Sequence, residues 1–185
     1  MTRCDFAENW VTSVLYGRAL ERLGGEVPWT DVAGNRLECF MARDLSKVYS
    51  YGKGVGRRVY EPVEFHPVVE LILHELNARM PAFFNVCVLN RYLDERNHLG
   101  WHADDSPEQD PDHSIAVVSF GATREIWTKK MGNSGHVPPE DRFMLTPGSL
   151  FIMPPRYQET HLHRIPKHTA KCGERISLTF RKLDR

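Results

Sequence analysis

An α+β fold is what this sequence predicts: a double-stranded β-helix (jelly roll) core buttressed by N-terminal helices. Three observations predict it. Helical periodicity is confined to the first half of the chain. Short runs rich in β-branched and aromatic residues crowd the second half, and the last of them alternates polar with apolar residues.

Phe6, Trp10, Val14, Leu15 and Leu23 recur at roughly helical spacing, and the Gly24-Gly25 pair follows them, so a first helix is expected over Phe6 to Leu23. From Pro67 to Met80 the stripe Val68, Val69, Ile72, Leu73, Leu76 has a period of 3.6, and Pro67 suits a first helical turn. After Pro81 the segments FFNVCVLNRY, SIAVVSF, REIWTK, DRFMLT, SLFIM and RISLTFR read as strands separated by polar loops. Strands closing on one another with helices on one side give the layered architecture, and a double-sheet jelly roll is its best-fitting form.

With 185 residues, 41% of them hydrophobic, and no repeat or linker, the chain is expected to form a single domain, 1–185. Cys4, Cys39, Cys87 and Cys172 lie far apart without a Cys-x-x-Cys pair, which predicts free thiols in an intracellular, soluble protein of the cytoplasm or nucleus. No run approaches the roughly 18 apolar residues of a membrane span, so no membrane partner is expected. Lysine plus arginine and aspartate plus glutamate are both 24, so no global positive field draws in a polyanion. The cations are instead clustered, at Lys53, Arg57 and Arg58, at Lys129 and Lys130, and at Arg156, Arg164, Lys167 and Lys171. Local clusters of that kind still suit phosphates.

Chemistry enters with Trp101-His102-Ala103-Asp104. In an extended segment His102 and Asp104 emerge on one face, where two ligands reach one metal. Thr160-His161-Leu162-His163, expected in a short loop, offers a third ligand, and two His with one carboxylate make the facial triad of non-haem Fe(II) oxygenases. His-x-Asp alone is a weak signal. RISLTFR strengthens it, because Arg175, Ser177, Thr179 and Arg181 share one face of a strand and Ile176, Leu178 and Phe180 the other. Two guanidinium forks on one face suit a dicarboxylate such as 2-oxoglutarate. Asn90 and Tyr92, two apart, add an amide and a phenol that complete carboxylate hydrogen bonds without adding charge.

In that order NRYLDERNHLGWHADD, SIAVVSFGATR, PGSLFIMP, LHRIPK and ERISLTFRKL resemble the signature segments of AlkB-family dioxygenases, from about Asn90 to Leu183 and more loosely back to Tyr49. The likeness is closest to the branch that acts on nucleic acid. It implies residues 1–85 as helical support and a substrate-recognition lid, and 86–183 as the catalytic core. His102, Asp104 and His163 become the iron ligands, His163 being preferred to His161 because it directly precedes Arg164-Ile165-Pro166. Arg175 would bind the far carboxylate of 2-oxoglutarate with Tyr92 and Ser177, while Arg181 and Asn90 would lie near the carboxylate that chelates the metal.

The resemblance further implies Fe(II), 2-oxoglutarate and O2 as the reacting set and hydroxylation of an N-alkyl group on a base, with release of formaldehyde, succinate and CO2. The implied partner is nucleic acid carrying alkylated bases, DNA in preference to RNA, met by a monomer. Tyr49, Tyr51, Asp105 and Arg124 are the residues implied at the substrate, with Tyr51 and the His102 ring on the two faces of a flipped base. Gly52 to Arg58 reads as a phosphate-seeking loop. Ser106 departs from the pattern, since several relatives carry an acid two positions after the ligand aspartate. Two alternatives follow: the same chemistry on RNA, protein or a small metabolite, or a non-catalytic metal-binding jelly roll.

Overall fold

The computed structural model describes residues 4–11, 13–52, 57–132 and 139–184. Strands β1 (Asp5–Ala7), β2 (Thr30–Asp31), β3 (Leu37–Ala42), β6 (Val86–Tyr92), β8 (Ile115–Gly121), β11 (Leu150–Met153) and β13 (Arg175–Arg181) form one antiparallel sheet in the order β1-β11-β8-β13-β6-β3-β2. A second sheet has the order β10-β9-β12-β7, from β7 (Leu99–His102), β9 (Arg124–Lys130), β10 (Asp141–Leu145) and β12 (His161–Ile165). A hairpin of β4 (Tyr49–Tyr51) and β5 (Arg58–Tyr60) stands apart from both. All six expected strands form, and the double-sheet architecture is that of a jelly roll.

Helices α1 (Ser13–Glu26) and α2 (Pro67–Arg79) cover the outer face of the larger sheet. There Val69, Ile72 and Leu76 of α2 join Leu89, Val118, Ile176, Leu178 and Phe180 in one core. α2 starts as the sequence predicts, with Pro67 in its first turn and the side chain of His66 accepting from the Val68 N–H. Between the sheets a second core gathers Ile115, Val117, Ile126, Leu145 and Phe151. Burial of alternate strand residues on both sides of one sheet is therefore the main driving force for this layering.

The first helix differs from expectation at both ends. Phe6 lies in β1, paired with Phe151, and packs against the inter-sheet core; the helix begins only at Ser13. The side chains of Val14 and Leu15 lie outside the described residues. Gly24 and Gly25 do not stop the helix. The Gly24 carbonyl accepts from Arg91 Nη1 at 2.7 Å, and a Cβ on Gly24 would come within 3.1 Å of Arg91 Nη2. This close approach offsets the roughly 1 kcal/mol that a glycine costs a helix. The His161–His163 segment, expected as a loop, is strand β12, bonded to β9 and β7.

The first 85 residues supply β1, β2 and β3 to the larger sheet besides the two helices. At the other end of β13, Gly121 holds a left-handed φ of 82°, and a Cβ there would lie 2.2 Å from the Glu174 carbonyl. That approach lets the Ala122 N–H donate to the same carbonyl at 2.7 Å and fixes where β13 enters the sheet.

Candidate metal and cosubstrate site

β13 is buried along its whole length, at the centre of the larger sheet. Its even-numbered residues belong to the core beneath the helices, and Arg175, Ser177, Thr179 and Arg181 line a cleft between the sheets. The opposite wall is the smaller sheet, which presents His102 at the end of β7 and His163 on β12 as direct cross-strand partners.

These strands bring His102, Asp104 and His163 together. One ligand-capable atom from each lies within 4.8 Å of the others. His102 Nε2 is 3.6 Å from Asp104 Oδ1, and His163 Nε2 is 3.8 Å from Oδ2. His102 Nδ1 donates to the Gly100 carbonyl at 2.8 Å, so the proton sits on Nδ1 and leaves Nε2 as the free lone pair. His161 turns away and stacks on Tyr157, with ring centroids 4.3 Å apart.

Charge in the site favours a cation. Burial pushes both imidazoles down, His163 to about 3 with help from neighbouring His102, so both rings are neutral, as metal ligation requires. Burial alone would raise the Asp104 carboxyl. The Arg181 guanidinium, donating from Nη2 at 2.7 Å, outweighs it and holds the carboxyl well below the usual carboxylate range. The Asp104 N–H donates to Gln158 Oε1 at 2.9 Å, which fixes the ligand's backbone. Two neutral imidazoles and one ionised carboxylate converging from one side fit a divalent transition-metal ion such as Fe(II) with positions left open.

Beyond Arg181 the cleft runs to Arg175, whose Nη2 donates to Ser119 Oγ at 3.0 Å and whose Nε and Nη1 are buried with no partner. Burial pushes this guanidinium down to about 10. The Tyr92 ring lies under it at 5.2 Å, and Ser177 and Asn90 stand in register beside it. Buried donors left unsatisfied are costly, so these atoms fit an anion that enters the cleft.

The substrate expectations fare unevenly. Tyr49 is buried in the wall with Arg181 at 5.1 Å from its ring. Tyr51 meets the His102 ring edge-on at 5.7 Å, so in this arrangement no slot for a planar base lies between them. Asp105 is exposed and lines an adjoining cavity on the far side of Asp104. Arg124 is buried behind Tyr92 and donates to the carbonyls of Asp94, Asn97 and Pro166; the structure does not bring it to the cleft. Ser106 donates to Glu108, which also accepts from Ser50 at 2.9 Å. Of the phosphate-seeking loop, Lys53 to Gly56 lie outside the described residues, while Arg57 and Arg58 face Glu108 and Glu38.

Arg36 and Glu38 escaped the sequence reading. They are buried in the cleft wall as an ion pair, Glu38 also accepting from Tyr60 Oη at 2.5 Å. Arg36 Nε donates to Asn90 Oδ1 at 2.8 Å. Since arginine only donates, the Asn90 carbonyl must face Arg36 and its amide N–H groups must point elsewhere. The available signal was the alternation of Arg36, Glu38 and Phe40 against Leu37, Cys39 and Met41, which marks a strand with a charged pair on one face.

Comparison with known proteins agrees with this geometry. The family model described as "2OG-Fe(II) oxygenase superfamily" matches residues 4–181. A relative named DNA oxidative demethylase ALKBH2 from Arabidopsis thaliana is 32% identical over 86% of this chain. Alpha-ketoglutarate-dependent dioxygenase alkB homolog 3 from Homo sapiens is 30% identical over 88%. In both cases the match covers 59% of the relative's own length. The solved structure of OsALKBH1 superposes with a TM-score of 0.63 over 98% of this chain and 99% of that one; at 15% identity this is a likeness of fold. With a shared fold, a family match over nearly the whole chain and a converging His-Asp-His set, the chain belongs to the 2OG-Fe(II) oxygenase superfamily, among its AlkB-like members.

Proposed function

We propose that this chain is an Fe(II)- and 2-oxoglutarate-dependent dioxygenase that removes N-alkyl groups oxidatively from nucleic-acid bases, with DNA preferred to RNA. One observation carries the reading: His102, Asp104 and His163 converge at one end of a buried cleft whose other end holds an uncompensated arginine, Arg175. A metal at the first and an anion at the second would supply partners for the ligand set and for Arg175 Nε and Nη1, which are buried without an acceptor. The relatives' names, DNA oxidative demethylase among them, support the choice of substrate.

In this reading the protein orients and excludes. His102, Asp104 and His163 hold the iron, and Arg181 keeps Asp104 ionised. Arg175, with Ser177 and Tyr92, binds the far carboxylate, and the Asn90 amide, turned by Arg36, faces the near one. Iron with 2-oxoglutarate and dioxygen supplies the oxidising power, and the cofactor set bears that chemistry. The apolar residues Val117, Ile126, Leu145 and Met153 keep bulk water from the cleft. Residues 86–183 are the catalytic core. The β4–β5 hairpin, with Tyr51 at the mouth, is the lid that meets the base, and Tyr51 must move off His102 to admit it.

The test is formaldehyde and succinate release with Fe(II) and 2-oxoglutarate over a panel of methylated oligonucleotides. The parent should repair at least one lesion, and the double variant His102→Ala, Asp104→Ala should form no succinate while keeping its circular dichroism spectrum. Parent enzyme that decarboxylates 2-oxoglutarate yet releases formaldehyde from no methylated base would refute the substrate.

A further inference from the structure

The reverse side of the sheet that holds the histidines carries a second pattern. Arg142 on β10, Trp127 on β9, Arg164 on β12 and Trp101 on β7 form one row across all four strands, Arg142 opposite Trp127 and Trp127 opposite Arg164. Arg142 lies 4.5 Å from the Trp127 ring centroid, Arg164 lies 4.2 Å from the same ring and 5.0 Å from Trp101, and Lys129 covers Trp101 at 4.8 Å. Guanidinium, indole, guanidinium and indole thus alternate like the teeth of a comb.

Such a row stiffens a sheet, but that alone leaves its charge unexplained. None of Arg142, Arg164 and Lys129 has an acidic partner among the described residues, although Lys129 is only 8% exposed and Arg164 Nε is buried without an acceptor. An acid on this face, Glu125, accepts from the Trp127 indole N–H at 2.9 Å. In a protein with equal numbers of acidic and basic residues, three uncompensated cations on one flat face are a local concentration of positive charge. Cations interleaved with aromatic rings suit the evenly spaced anions of a nucleic-acid backbone, and Arg142 is exposed to meet them. Two of the cation clusters noted in the sequence, at Lys129 and at Arg164, meet here.

We propose that this comb is a sequence-independent binding surface for the phosphate backbone of a nucleic-acid strand, separate from the pocket that receives the base. It rests on the nucleic-acid reading above and adds a place to it. β7 is the edge strand and turns Trp101 to the comb and His102 to the cleft, so a strand that delivers a base at the edge has its flanking phosphates one sheet thickness from the cations.

The probe is a short, unmodified, single-stranded oligonucleotide bound by the whole chain across a salt series. For single strands the slope of log affinity against log salt changes by about 0.7 for each phosphate contact, so the double variant Arg142→Gln, Arg164→Gln should flatten it by about 1.4. The single variant Arg142→Gln, at an exposed position, should flatten it by about 0.7 and guards against loss of folding in the double variant. Formaldehyde release from a methylated mononucleoside, which has no backbone to bind, should be unchanged in both. An unchanged slope in Arg142→Gln overturns the proposal, as does a parent that binds no oligonucleotide and leaves the comb to an acidic protein. Turnover of the methylated nucleoside tests the dealkylation reading separately, so the two fail independently.

Discussion

The two ends of the cleft treat the same side chain in opposite ways. Arg175 and Arg181 sit on one face of β13, and both are almost wholly buried. Arg181 donates to Asp104, and that carboxylate more than offsets the burial that would lower its pKa, so the guanidinium rises above its ordinary value. Arg175 finds the Ser119 hydroxyl and Tyr92 but no carboxylate, and burial outweighs them and pulls it down. One charge is settled inside the protein and serves the metal end; the other waits for an anion from outside. Removing the first should therefore damage the fold, and altering the second should damage binding.

The sharpest way to break this contrast is Arg181→Met. It strips a buried carboxylate of its counter-ion, a change that typically costs about 3–5 kcal/mol. Differential scanning calorimetry should show Tm lower by roughly 10 °C, at about 2–4 °C per kcal/mol for a chain of this size. Arg175→Lys keeps the charge and loses the fork. The apparent 2-oxoglutarate requirement should rise roughly ten- to a hundredfold with Tm near the parent's, because a charged hydrogen bond is worth about 1.5–3 kcal/mol. If calorimetry and kinetics return these outcomes exchanged, the two ends have been assigned the wrong way round.

Arg36 offers a subtler probe. Replacing Arg36 and Glu38 together by Met removes both partners of the pair and avoids an orphaned charge, so stability should change little. The Asn90 amide would then be free to turn, and 2-oxoglutarate KM should rise by about two- to tenfold, the worth of one neutral hydrogen bond. An unchanged KM would remove Arg36 from the positioning role.

At the metal end, pH reads the neutrality of His163. Its folded pKa of about 3 lies below the roughly 6.5 of an unfolded histidine, so between those values the unfolded chain binds more protons. Metal-free stability should accordingly rise with pH through that window and level off above it. His102, also pushed down, acts with the same sign, while the Asp104 shift acts at lower pH. Thermal melts in chelator from pH 5 to 8 give the check, and His163→Asn should flatten the slope. The smallest effect belongs to His161→Ala, which should keep Fe(II)-dependent turnover within about a factor of two, because its ring packs on Tyr157 away from the triad.

What could be read from the sequence alone tracks how local the cause is. The β13 alternation was visible because one strand packs a core on one side and a cleft on the other. His102 and Asp104 were visible because two positions along an extended segment share a face. Arg36 was not, since the alternation around it marks a charged face but its partner Asn90 is 54 residues away. The first helix was misplaced for a similar reason: Phe6 is claimed by Phe151 across the sheet, and Gly24 by Arg91, contacts that outvote local propensity. Arg124 failed differently, because an arginine in a motif looks the same whether it caps carbonyls or meets a substrate.

The burial of β13 on both faces has a consequence for how this protein can vary. A strand with a solvent side has positions where drift is free, and Arg175 to Arg181 has none. Changes at Ile176, Leu178, Phe180 and Arg181 are judged by whether the chain folds, and changes at Arg175 and Ser177 by whether it turns over. A library randomised across these seven positions and sorted first for soluble expression, then for succinate formation, should be filtered twice, the first sort restoring the apolar residues together with Arg181 and the second restoring Arg175 and Ser177.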